Sequence, residues 1–298
     1  MSNWNSVYQI AGIRIDISSS IGDPTAYLLR DMPSFAAGEP GATDLAISLR
    51  YLDETRTALP HPFPSHFGLE NREGGLSFDG LQEGRTRLGF INAGYVEAEL
   101  GVPHPGTTGR TGEEEAVREA VQAFLRACLQ CRLTAEGGTL MHAAGIVWED
   151  EGFVFTGHTR AGKTTLSRGF SVAAVLGDDL VAVRREGSGF TLYGTPWPGR
   201  EGGTVAYGGA PLRAVFNLHP GSGEGLFRQS PAEALAELAS NAPRMGYGGE
   251  ESKLLEVFSS LVEAVPIYRL SIRLGDDVTP YLQRVSTREV GGDREDRP

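Results

Sequence analysis

The chain is almost without lysine. Its 298 residues contain two, Lys163 and Lys253, against 25 arginines. Cysteine is as scarce, with Cys128 and Cys131 both in "ACLQC". That pair suits half a zinc site or a redox pair. No second Cys/His pair stands at zinc-finger spacing, however, and an i, i+3 interval places two small apolar residues on one helix face, which is the reading adopted. No run approaches the ~18 apolar residues of a membrane helix, and no charged-then-apolar leader opens the sequence. The expectation is a cytoplasmic protein with no membrane partner. A formal net charge of −11 argues against nucleic acid as the main partner, because backbone phosphates call for a basic face. Any anion site must therefore be built locally. The rarity of lysine gives weight to the position of Lys163, since a planar guanidinium does not easily replace a compact ammonium.

What is present divides in two. Residues 1–105 read as a strand-rich N-terminal region, with alternating apolar positions in "VYQIAGIRIDI" and "DLAISLRYLDE". Residues 58–68, "ALPHPFPSHFG", hold three prolines and no period and read as a loop. His61 and His66 lie in it, with no acidic cluster beside them to suggest a metal. A linker over 102–115 leads to a helix over 112–133, with Val117, Ala120, Val121, Phe124, Leu125 and Cys128 on one face. From 106 to 290 the pattern is that of a second, α/β part, and the end from Gly291 reads as a frayed tail. In that part, "TLMHAAGIVWED" and "GFVFTG" are strands joined at "EDEG", and "VAAVLGDDLVAVRREGSGFTLYG" gives three more. "SPAEALAELASN" opens on a capping box, and "ESKLLEVFSSLVEAV" is a second amphipathic helix.

The sharpest motif is "GHTRAGKTT" at 157–165. An apolar strand ends at Gly157, a loop turns, and a helix begins at Lys163. In such a loop the backbone N–H groups converge on phosphates, aided by the helix dipole. This assigns nucleotide phosphates to Gly157, His158, Thr159, Arg160, Ala161, Gly162, Lys163, Thr164 and Thr165. Lys163 neutralises phosphate oxygens, and the Thr164 hydroxyl ligates Mg²⁺. Fifteen residues beyond the lysine, "VLGDDL" ends an apolar strand in Asp178 and Asp179. Paired carboxylates there permit one metal ligand and one proton acceptor. His142, in "LMHAAG", is by spacing alone an ordinary core histidine.

"MHAAGIVWEDEGFVFTGHTRAGKTTL…LGDDLVAV" resembles the catalytic core of the HPr kinase/phosphorylase family and its HPr kinase-like relatives, over about residues 138–200. The resemblance implies an α/β HPr kinase/PEP carboxykinase-like P-loop kinase domain using ATP and Mg²⁺ on a serine-type hydroxyl. It gives catalytic roles to His142, Lys163 and Asp178, with Asp178 as proton acceptor supported by His142. Asp179 joins Thr164 at the metal. The acceptor is a protein, a peptide or a small molecule, and family members are often oligomeric. Arg160 stands where the family has glycine, the interval from Lys163 to Asp178 is short and requires a brief helix, and the family's later glycine-rich signature is missing. "YGTPWPGR" (193–200) offers Trp197 and Arg200 as a wall of the site or, equally, as a proline-stiffened turn covering the core. An "NKxD" element and an "LSGGQ" element are both missing from the sequence, which removes regulatory GTPases and ABC ATPases. A non-catalytic ATP sensor is the alternative to a kinase.

Overall fold

The computed structural model describes residues 4–21, 32–38, 41–52, 67–80, 87–102, 113–158, 161–171, 174–199, 205–221, 225–242, 251–273 and 275–287. Alternation of apolar and polar residues produces the first sheet. Ile13, Ile15 and Ile17 of β2 (Ile13–Ser19) and Leu45, Ile47 and Leu49 of β3 (Leu45–Tyr51) all turn inward. β1 (Trp4–Ile10) joins β2 through Ala11 and Gly12, both at positive φ, the geometry that matches hairpin twist. With β4 (Phe67–Arg72), β5 (Gly75–Gly80), β6 (Arg87–Asn92) and β7 (Glu97–Val102), the order across the sheet is β1-β2-β3-β7-β6-β5-β4. The helix α1 (Glu113–Ala135) buries Val117, Ala120, Val121, Phe124 and Leu125, and the Phe124 ring meets Phe78 of β5 edge-on at 4.6 Å. Cys128 and Cys131 are buried on this same helix, and neither is in a disulfide. Burial, with Cys131 adding to it, pushes the Cys128 thiol well above its ordinary value, which makes it an inert core group.

The chain divides into two compact units, Met1–Thr139 with Pro243–Val257, and Leu140–Ala242 with Phe258–Pro298. The boundary falls after α1 and not near residue 105, because α1 packs its apolar face onto the first sheet. The first unit also recruits the start of α4 (Glu251–Ala264), where Lys253 Nζ donates to the Tyr95 hydroxyl at 3.1 Å and lies over its ring.

The second unit is built on a mixed sheet of β8 (Gly138–Trp148), β9 (Glu151–Thr156), β10 (Val175–Gly177), β11 (Leu180–Glu186), β12 (Gly189–Gly194), β13 (Gly209–Pro220), β14 (Gly225–Arg228) and β15 (Ile267–Ile272). β8 and β9 form a tight hairpin about Glu149 and Asp150, both at positive φ. β9 then runs parallel to β13, and β13 parallel to β15, so three strands finish at one end of the sheet. One face carries a row of stacked rings: Phe155 lies 5.0 Å from Phe216, and Phe216 5.8 Å from Tyr268. Against this row pack Leu166 and the helix α5 (Thr279–Ser286), through Val278, Leu282 and Val285. The helix α3 (Pro231–Asn241) begins on the expected capping box of Ser230 and Glu233. The fold is thus mixed α/β, strand-rich and two-sheeted. The strand β10 stands where "VLG" reads as one, whereas the short strand β14 and the helix α5 have too few residues for a period to reveal them.

Candidate phosphate-transfer site

β9 is buried along its length because it lies between β8 and β13, and its apolar run "FVF" faces covered surfaces on both sides. The loop that follows is described at Gly157, His158, Ala161 and Gly162; Thr159 and Arg160 lie outside the described residues. The Ala161 N–H donates to the His158 carbonyl at 3.0 Å, and Gly162 caps the next helix at φ 99°, a conformation that favours glycine. That helix, α2 (Lys163–Ser167), is five residues long. It is as brief as the spacing to Asp178 requires, and too short for its dipole to add much to anion binding, so the loop amides and Lys163 would carry that task.

Lys163 is buried at 7% exposure. Its Nζ donates to the carbonyls of Gly157 at 2.8 Å and His158 at 3.3 Å, so the loop curls around its own ammonium. Burial pushes the Lys163 ammonium below its ordinary value, and the Asp179 carboxylate opposes that shift. Thr164 is half-buried and Thr165 exposed, both in the first turn of α2.

The histidine and the aspartates come together through β-sheet pairing. The Ala143 N–H donates to the Asp179 carbonyl at 3.0 Å, which sets the neighbouring His142 beside the turn between β10 and β11. His142 Nδ1 lies 3.3 Å from Asp179 Oδ1, with both side chains about 40% exposed. Burial lowers the His142 pKa below its usual value, Asp179 raises it, and Lys163 lowers it further. Three side chains spread over 38 positions of sequence thus act on one another electrostatically.

Asp178 has a different environment. It is buried at 4% exposure, and its Oδ1 accepts from the Gly199 N–H at 3.0 Å. His142 therefore lies against Asp179, not against Asp178 as the family resemblance led one to expect. Both aspartates lie in the bend after β10 has ended; the Gly199 N–H holds the Asp178 carboxylate inward, while that of Asp179 stays half-exposed beside His142. A Cβ at Gly199 would sit 3.2 Å from Asp178 Oδ2, tight enough to crowd that carboxylate, and in ordinary contact at 3.5 Å with the Asp179 Cβ. The segment before it is fixed by the Thr195 hydroxyl, fully buried and donating to the Leu180 carbonyl at 2.6 Å. Trp197 is buried, which makes the proline-flanked turn a cover for the core at that ring; Arg200 lies outside the described residues. The Thr195 hydroxyl and the Gly199 amide escaped the sequence reading. The glycine closing "TPWPG" was the one signal that a backbone approaches something closely there.

No protein-family model matches this chain, and no curated protein does. Among the described residues, no group of three or more His, Cys, Asp or Glu side chains is placed to hold a metal ion. His61 and His66 lie outside the described residues.

Proposed function

We propose that the chain is a P-loop kinase of the HPr kinase-like type, transferring phosphate from ATP to a hydroxyl, in the first instance a serine, of a protein, peptide or small molecule. The observation that carries this reading is the electrostatic triangle of Lys163, Asp179 and His142 at the mouth of the glycine-rich loop. Bound ATP with Mg²⁺ supplies the transferable phosphoryl group and neutralises its charge.

The loop from Gly157 to Thr165 holds the phosphates through backbone N–H groups. Lys163 exchanges its bonds to the Gly157 and His158 carbonyls for phosphate oxygens, and the Thr164 hydroxyl serves the magnesium. Asp179 is the proton acceptor for the incoming hydroxyl. It is the half-exposed carboxylate, and His142 at 3.3 Å holds it in position. Asp178 is a positioning residue that ties the segment at Gly199 against the turn. Incubation with γ-labelled ATP and a cell extract, followed by identification of the labelled species, tests the activity. Labelled acceptor is the expected result. Unlabelled acceptor alongside undiminished ATP binding would make the chain an ATP sensor.

A further inference from the structure

His142 is placed to do more than hold Asp179. Its side chain is about 40% exposed beside the phosphate loop, and its Nδ1 is turned to a carboxylate. We infer that His142 is the first phosphate acceptor: its Nε2 takes the γ-phosphoryl group from ATP and passes it to the hydroxyl. The inference rests on the kinase reading and deepens it, giving the transfer two covalent steps in place of one.

Register carries the first half of the argument. Ala143 of β8 pairs with Thr156 of β9, so one step further on His142 stands opposite Gly157, the first residue of the loop. Alternation along β8 turns His142 to the same face as Ala144 and Ile146. Those two share a buried cluster with Leu166 of α2, the helix that begins at Lys163. The imidazole is therefore on the loop's side of the sheet, within electrostatic reach of Lys163. Asp179 fixes its orientation, with Oδ1 at 3.3 Å from Nδ1. A carboxylate only accepts, so in the neutral ring Nδ1 carries the proton and Nε2 keeps the lone pair. A nucleophile oriented by a second group in this way is the pattern of covalent catalysis.

Chemistry carries the second half. A hydroxyl must lose its proton to attack well, whereas a neutral imidazole attacks with the lone pair it already has. In the first step His142 Nε2 bonds to the γ-phosphorus as the bond from that phosphorus to the βγ-bridging oxygen breaks. ADP leaves with that electron pair, and Lys163 offsets the charge on the phosphate oxygens. The positive charge that forms on the ring is met by the Asp179 carboxylate. In the second step the acceptor hydroxyl attacks the same phosphorus and Asp179 takes its proton. The N–P bond breaks, its electron pair returns to Nε2, and the neutral ring is restored. No reactant beyond ATP and the hydroxyl is needed.

The test uses the full, unmutated chain with γ-labelled ATP and magnesium, without any acceptor, quenched in alkali. Label is expected on the peptide holding His142, stable to alkali and lost in acid, as an N–P bond requires. Mixing the labelled chain with ADP should return the label as ATP. Labelled ADP should likewise exchange into ATP, which detects the step even where little phosphorylated chain accumulates. His142→Asn should lose both label and exchange while keeping the thermal stabilisation given by ATP with magnesium. Absence of both label and exchange in the parent, label confined to other peptides, or undiminished exchange in His142→Asn would each overturn the covalent step. If transfer to an acceptor in cell extract persists beside such a result, the kinase reading stands with a single direct step. If that transfer is absent as well, both fall together.

Discussion

Exchanging the two neighbouring aspartates for neutral residues should separate a structural carboxylate from the one proposed to react. Asp178 is buried, and its loss leaves the Gly199 N–H without its acceptor at 3.0 Å. A hydrogen bond to a charged group is worth about 1.5–3 kcal/mol. At roughly 2–4 °C per kcal/mol for a protein of this size, Asp178→Ala should lower the melting temperature by about 3–12 °C. Asp178→Asn retains an acceptor oxygen and should cost less. Asp179 is half-exposed, and its pairing with His142 at 3.3 Å is of the solvated kind, worth about 0–1 kcal/mol. Asp179→Asn should therefore melt within about 4 °C of the parent. Its phosphoryl transfer should nevertheless fall by about 10²–10⁴-fold, the usual worth of a general base, with ATP still bound. Calorimetry beside transfer of label from γ-labelled ATP reads both effects. Two results would refute the assignment: full transfer by Asp179→Asn with none by a normally melting Asp178→Asn, or recovery of Asp179→Asn at raised magnesium, which would make Asp179 a metal ligand.

Lys163→Ala should abolish the thermal stabilisation that ATP with magnesium gives the parent; an equal shift in both proteins would remove the phosphate-loop reading. His142 has a pKa lowered mainly by burial, so it is neutral in the folded protein at pH 7. Its contribution to stability is complete above its unfolded value near 6.5 and is lost as pH falls through the lowered folded value. An NMR titration of the imidazole should find that value below ~6.5, and Asp179→Asn, by removing the opposing carboxylate, should depress it further. Thr195→Val keeps the shape of a fully buried side chain and strands the Leu180 carbonyl that accepts from it at 2.6 Å. Urea denaturation should register a loss of about 1–3 kcal/mol, and an unchanged midpoint would deny the hydroxyl that role.

The parts of this molecule that repeat a period were readable from the residues. The alternating isoleucines of β2, the apolar stripe of α1 and the Ser230–Glu233 box each state their own local geometry. "GHTRAGKTT" announced its strand, loop and helix for the same reason, since a buried run, two glycines and a lysine have few other uses in that order. What stayed hidden depends on partners distant in sequence. Nothing near Asp178 says that Gly199, 21 positions later, will take its carboxylate inward and leave Asp179 to His142. The boundary between the units was hidden likewise, because α1 carries an apolar stripe that either sheet could have covered.

The bond between Lys253 and Tyr95 joins residues 158 positions apart within the first unit. On a ribosome the chain emerges from its N-terminus, and domains usually fold in that order. Here the strands of the second sheet through β14 must all be synthesised before residues 243–257 arrive to complete the first unit. A nascent chain halted after residue 139 would hold every strand of the first sheet and still lack one of its pieces. A gene fragment cut at that point should yield a less stable product than the same fragment supplied with 243–257 as a separate peptide.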